Sequence, residues 1–341
     1  MAKDIILVTG GAGYIGSVLV KELVSRGEKV RVYDKLYFGD EALSDVKGKI
    51  DLVLGDVRQF NAGVLDGVKA VMHLGSLSND PTAEFDPKAN HGINFEGTMR
   101  VAEAAKKKGV NRFTFASSAA VIGFHVDEIA DENYPTNPQS EYAQSKLDAE
   151  NGLKALLSGS FCPVILRQAT VFGFSPRMRY DLVVNTMTRD AYEKGEISVY
   201  SAGEMWRPLV DVRDIAKAHI LVAGAPEEKV KGQIFNIVHM NYRILELAHW
   251  LKDVLKELKQ LKVEVLFGKT ETRSYRISGE KIKKDLGFTA DRSVKDAAIE
   301  IFNILRSGKY NDFSNPIYYN IDWMKLLTSM EQRLKVIGKV F

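Results

Sequence analysis

A short apolar run, Ile5-Ile6-Leu7-Val8, leads directly into Thr9-Gly10-Gly11-Ala12-Gly13-Tyr14-Ile15-Gly16, and a helical pattern begins at once. Ile15, Val18, Leu19, Leu23 and Val24 recur at three- and four-residue steps until Gly27 stops them. A buried strand joined to a helix by a turn this poor in side chains admits few folds. Gly10 allows a sharp turn, Gly13 lets backbone approach a pyrophosphate, and Gly16 lets the helix pack on the strand. The first helical turn, with Tyr14 and Ile15, offers N–H groups and a positive dipole end to phosphates. The expectation is a dinucleotide site at this turn.

The rhythm of the first half agrees with that start. Strand patterns at 29–33, 51–54, 70–74, 112–116 and 164–166 alternate with helical patterns, among them 94–108 and 138–157. Such alternation predicts parallel strands joined by right-handed crossovers: an α/β, doubly wound parallel sheet of Rossmann type. After Arg167 the segments become irregular, as in Gly173-Phe174-Ser175-Pro176. We therefore expect a nucleotide-binding domain over 1–167, with returning segments at about 209–240 (a helix from 211 to 224, a strand from 233 to 238). A smaller C-terminal substrate-binding lobe takes 168–208 and 241–341, with a solvated lysine- and glutamate-rich helix at 252–261. Of 341 residues, 45% are apolar, enough for a substantial core, and the net charge of +3 is too small to make nucleic acid or an anionic membrane the expected partner. The single cysteine, Cys162, sits in an apolar run and reads as core. The start of the chain enters a strand at once, and no apolar run approaches the ~20 residues of a membrane span. The expected setting is soluble and cytoplasmic. The six histidines lack paired ligand spacing, so no metal site is expected, and His73 reads as structural.

Two regions carry chemistry. Asp34 ends the second strand, 18 positions beyond Gly16. A carboxylate there accepts hydrogen bonds from ribose hydroxyls and repels a 2′-phosphate, which favours NAD over NADP, although Arg31 and Lys35 stand nearby. Asp56, in Gly55-Asp56-Val57-Arg58, is placed either for the adenine amino group or as a plain loop aspartate. Farther on, Tyr142-Ala143-Gln144-Ser145-Lys146 sets a phenol and an ammonium one helical turn apart. A nearby cation is expected to lower the phenol's pKa and make it a usable proton acceptor. Ser117 and Ser118 leave the fifth strand at its C-terminal end, where ligands of such sheets bind, and Ser118 is preferred as the hydroxyl beside the phenol.

In this order, the glycine turn, acidic residue, Gly-Asp-Val, His73-Leu74-Gly75-Ser76, Asn94, Ser-Ser and Tyr-x-x-x-Lys resemble the extended short-chain dehydrogenase/reductase family over residues 4 to 290. The resemblance is to its NAD-dependent sugar-nucleotide epimerase and dehydratase group, which includes UDP-galactose 4-epimerase. It implies Ser118, Tyr142 and Lys146 as the catalytic set. It implies NAD contacts at Gly10, Gly13, Tyr14, Ile15, Gly16, Asp34, Asp56, Val57, Leu74, Ser76, Asn94, Tyr142 and Lys146. Substrate contacts are implied at Ser78, Asn79, Ser118, Thr170, Asn185, Arg207 and Arg273, the two arginines facing a nucleotide diphosphate that suits their forked geometry. Relatives pair through the helices at about 94–108 and 138–157, which implies a homodimer.

Departures from the family pattern narrow the reaction. Dehydratases of the family carry an Asp-Glu pair directly after the catalytic hydroxyl, and some decarboxylases a glutamate. Here those positions are Ala119 and Ala120. Thr170 and Asp211 stand where an asparagine and a histidine are common in relatives. The leading expectation is a C4 epimerase of a nucleoside-diphosphate sugar, working through a transient 4-keto intermediate. A one-way sugar-nucleotide 4-oxidase or 4-reductase is the alternative.

Overall fold

The computed structural model describes residues 3–125, 128–200, 203–266 and 274–338. In chain order its strands are β1 (Ile5–Thr9), β2 (Lys29–Asp34), β3 (Ile50–Leu54), β4 (Val68–His73), β5 (Arg112–Ser118), β6 (Cys162–Gln168), β7 (Thr170–Phe172), β8 (Glu196–Tyr200), β9 (Trp206–Asp211), β10 (Ile234–Ile237), β11 (Met240–Arg243) and β12 (Lys262–Leu266). The helices are α1 (Tyr14–Ser25), α2 (Asp80–Phe85), α3 (Pro87–His91), α4 (Thr98–Lys107), α5 (Glu141–Leu156), α6 (Val183–Lys194), α7 (Val212–Gly224), α8 (Glu227–Val230), α9 (Ile244–Leu255), α10 (Glu280–Leu286), α11 (Val294–Arg306) and α12 (Asn320–Ile337).

Seven strands form one sheet in the order β10-β6-β5-β4-β1-β2-β3, and every pairing in it is parallel. Both faces of such a sheet are covered, and β1 shows how. Ile6 and Val8 face α1 through Leu19, Val20 and Leu23, together with Ala216 of α7. Leu7, on the other face, packs with Val101 of α4 and Leu153 of α5. The period-two alternation of a strand supplies both cores from one apolar run. The strand order reverses at β1, which has β2 on one side and β4 on the other. Ligands of doubly wound sheets bind in the crevice beyond the strand ends at such a point.

The remaining strands form two small sheets, β11-β9-β7 and β12-β8, packed with α6, α9 and α11 around Phe172, Leu209, Leu247 and Phe302. The expected helix at 252–261 is displaced. The helix there is Ile244–Leu255, because Ile244, Leu247, Ala248, Leu251 and Leu255 bury on one stripe, which outweighs the charged pattern farther on. The helix expected over 94–108 begins as a π-helical turn, Gly92–Gly97, and continues as α4. After α11 the chain returns to the nucleotide end of the molecule: Trp323 of α12 donates its indole N–H to the Tyr37 carbonyl at 2.6 Å. Cys162 is buried and free, as its apolar run requires.

Candidate active site

The glycine turn is fitted to its neighbours with no room to spare. Gly10 has φ +71°, and a Cβ on it would lie 2.7 Å from the Gly75 backbone, at the end of β4. A Cβ on Gly16 would lie 2.0 Å from the Gly10 carbonyl. These are the backbone conformation and the close helix–strand approach that only glycine supplies. Gly13 is the N-cap of α1 and offers no side chain to it, and the first turn holds no acidic residue. The helix therefore presents its positive pole to a cleft of about 700 Å³ that runs from this turn to Arg207.

Asp34 stands beside the turn, its carboxylate accepting from Ala12 N at 2.9 Å and Leu36 N at 2.8 Å. Burial raises its pKa, and those N–H groups oppose the shift. Of the two cations that could soften a preference for NAD, Arg31 is engaged with Asp51 at 2.6 Å, and Lys35 lies 3.8 Å from Asp56. Asp56 caps the turn at Val57–Gln59, and its carboxylate also holds Arg58 at 2.6 Å, which keeps its pKa low. Ile15, Val57, Leu74, Ser76, Ser78, Asn79 and Thr170 line the same cleft.

The chemical end is built by β5 and α5. Ser140 caps α5, accepting from Ala143 N at 3.2 Å and donating to Asp80 of α2. This anchors the first turn, which carries Tyr142. Lys146 sits one turn later, 2% exposed, and donates to the Ala116 carbonyl at 2.8 Å. Its ammonium lies 5.0 Å from the Phe115 ring centre and 5.9 Å from that of Tyr142. Burial lowers its pKa to about 7, with Glu150 opposing. Ser118 ends β5 and hydrogen-bonds the Tyr142 phenol. Ser117 points the other way, donating to Glu150 at 2.6 Å inside a buried pair between Glu150 and Arg167. Strand alternation thus makes Ser118 the hydroxyl available to the cleft.

Several expectations need correction. Lys146 does not lower the Tyr142 pKa in this arrangement. Burial raises it, and the opposing influences are the Ser118 hydrogen bond and Arg179. The lysine is itself desolvated and its ammonium is turned to a carbonyl. Tyr14 lines the cleft, with its hydroxyl donating to the Gly173 carbonyl at 2.6 Å. Asn185 is fully buried behind the cleft: its amide binds Gly173 N at 3.0 Å, the Arg179 carbonyl at 3.0 Å and the Tyr14 hydroxyl at 3.1 Å. Asn94 likewise uses its amide on the Leu77 backbone, at 2.8 and 2.9 Å, and on Ser145. Both asparagines are buried behind the walls, and neither lines the cleft. His73 is structural, bonded to Thr9 and Thr98 and pushed down to about 3 by burial. Arg207 lines the cleft and donates to the Trp206 carbonyl at 3.0 Å. Arg273 lies outside the described residues. Among the described residues no group of His, Cys, Asp and Glu is arranged to hold a metal ion.

Sequence reasoning missed the loop before α6. Arg179 pairs with Asp181 at two points, 2.8 and 2.9 Å, and donates to Ser78 at 3.1 Å. Arg177 and Asn320 also face the cleft. The available signal was Pro176-Arg177-Met178-Arg179-Tyr180-Asp181, charges alternating with apolar residues in a segment without regular structure. Asn320 had none, being distant in the chain.

The chain is similar to several proteins of known description. A UDP-glucose 4-epimerase of Bacillus subtilis is 26% identical over 326 residues, covering 85% of this chain and 94% of its own. A UDP-N-acetyl-alpha-D-glucosaminuronate decarboxylase of Bacillus cytotoxicus is 29% identical over 246 residues, covering 68% and 74%. Among solved structures, MoeE5 in complex with UDP-glucose and NAD is 26% identical with a TM-score of 0.76, covering 89% of this chain and 99% of that one. A family model described as the NAD dependent epimerase/dehydratase family matches residues 6–238. With the glycine turn, Asp34 and the Ser118–Tyr142–Lys146 set converging on one cleft, the chain belongs to the NAD-dependent epimerase/dehydratase family of sugar-nucleotide enzymes.

Proposed function

We propose that the protein is a C4 epimerase of a nucleoside-diphosphate sugar, acting through a transient 4-keto intermediate. The carrying observation is the cleft's chemistry beside Ser118. Ser118, Tyr142 and Lys146 face it together, while the next two positions are Ala119 and Ala120. The machinery for moving one proton at a hydroxyl is thus present, and the acid and base for losing water are not. Bound NAD supplies the hydride acceptor. Ser118 orients the sugar hydroxyl and favours the charged phenolate, Tyr142 takes and returns the proton, and Lys146 would order the nicotinamide ribose. Arg207, together with Arg273, holds the diphosphate, with Ser78, Asn79 and Thr170 toward the sugar. Asp34 receives the adenosine ribose hydroxyls. Residues 1–167 with 209–240 serve the nucleotide, and 168–208 with 241–341 mainly serve the substrate.

The protein acts in the cytoplasm as a homodimer paired through α4 and α5. Among the described residues no helix is long and apolar enough to cross a membrane. The test is incubation with UDP-glucose, UDP-galactose, UDP-glucuronic acid and their dTDP counterparts, followed by proton NMR of the sugar ring. The C4 epimer should appear without lasting absorbance from reduced nicotinamide. Stoichiometric NADH would establish a one-way oxidase instead, and a product lacking the elements of water would establish a dehydratase.

A further inference from the structure

The loop before α6 is stitched to the glycine turn. Ser175 donates to the Tyr14 carbonyl at 2.7 Å and meets Ser17 Oγ at 3.0 Å. This brings the Arg177 guanidinium over the Phe38 ring, 3.6 Å from its centre, on the segment that follows β2. The side chain is 6% exposed and lines the cleft, yet its Nε has no hydrogen-bond partner. One terminal nitrogen donates to Asn320 Oδ1 at 2.6 Å. Asp181 acts on Arg177 from a distance but is bonded to Arg179, and among the described residues no carboxylate is in direct ion-pair contact with Arg177.

A buried guanidinium with no carboxylate in direct contact is costly unless an anion meets it. The positive pole of α1 faces the same space, with no acidic residue in its first turn. Burial and the like charge of Arg179 push the Arg177 pKa down to about 9, a sign of the same imbalance. Two cationic elements bordering the same space call for a compact, multiply charged anion beside both. The adenosine side, marked by Asp34 and the Phe38 segment, lies next to Arg177, whereas Arg207 belongs to β9 at the far end.

We propose that Arg177 clamps the pyrophosphate of NAD against the N-terminus of α1, and that Asn320 of α12 is the positioning residue that holds the guanidinium in place. The cofactor is then gripped by the helix turn and the guanidinium together and stays bound through many turnovers, as a reaction that returns its own hydride requires. The inference rests on NAD dependence and stands whether or not C4 epimerisation is the reaction.

The test measures exchange of bound NAD for radiolabelled NAD on the purified holoenzyme, and the affinities of ADP-ribose, adenosine and UDP by calorimetry. Arg177→Met should speed NAD exchange and weaken ADP-ribose about 10- to 100-fold, the scale of a lost charge-assisted contact, while adenosine and UDP change less than about twofold. Arg177→Lys, which keeps the charge and loses the fork, should fall in between and guards against a folding defect in the methionine variant. Asn320→Ala should weaken NAD retention in the wild-type background and add nothing to Arg177→Met, because its effect passes through the arginine. NAD exchange and ADP-ribose affinity unchanged in both arginine variants would overturn the proposal. So would a loss confined to UDP, which would assign Arg177 to the substrate.

Discussion

Replacing Glu150 by glutamine should unbalance the molecule under its catalytic helix. Glu150 is fully buried and receives Arg167 through Nε at 3.0 Å and NH2 at 2.8 Å, and Ser117 Oγ at 2.6 Å. Glutamine keeps the volume but removes the negative charge. The Arg167 side chain, 3% exposed, is left as a buried cation facing an amide, and breaking such a pair from one side costs about 3–5 kcal/mol. An unfolding entropy of about 2.1 cal/mol/K per residue gives on the order of 0.7 kcal/mol/K for 341 residues, so the melting temperature should drop by about 4–7 °C. Differential scanning calorimetry reads this directly. The double variant Glu150→Leu with Arg167→Met should recover most of the loss, since a buried pair exchanged for apolar groups is often neutral. A shift below about 1 °C for Glu150→Gln, or no recovery in the double variant, would refute the reasoning.

Tyr142→Phe should lower turnover at least about 10²- to 10⁴-fold while NAD stays bound, because it removes the group assigned to proton transfer, and single-turnover kinetics with bound-cofactor analysis checks both. Ser118→Ala should cost less, removing one hydrogen bond to the phenol and none of its base chemistry. Asp34→Ala should weaken NAD and narrow the gap between NAD and NADP, as titration calorimetry with both cofactors would show. Arg207→Ala should weaken binding of the nucleotide diphosphate by about 1.5–3 kcal/mol, with little change in NAD retention. Light scattering at micromolar concentration should give the mass of a dimer.

The nucleotide end was legible because its demands are local. A glycine forced to φ +71° with the Gly75 backbone against it leaves a mark in the sequence that no neighbouring residue can mask. The preference for Ser118 over Ser117 came with the family resemblance, and strand alternation within Thr114–Ser118 is its physical basis. What escaped reading depends on long-range closure. Asn185 looked like a polar residue available for a ligand, but its amide is spent on Gly173, Tyr14 and Arg179, contacts made only once β7, α1 and the loop before α6 have met. The return of α12 to Tyr37 and Arg177 involves partners 286 and 143 positions apart, and no periodicity reports it.

The phenol's electrostatics complete the argument about the reaction. Taken alone, Tyr142 in its buried place is a poorer base than free tyrosine, since desolvation disfavours the phenolate. Ser118 and Arg179 pull the other way, and burial disfavours the charged form of Lys146, with Glu150 opposing. Positive charge brought near these groups favours the phenolate, and the oxidised nicotinamide ring carries one. Bound NAD would supply such a charge while able to accept hydride and lose it on reduction, so Tyr142 would be the better base in the first state. That coupling matches proton removal to oxidation and proton return to reduction, which is the sequence an epimerase must run within a single binding event.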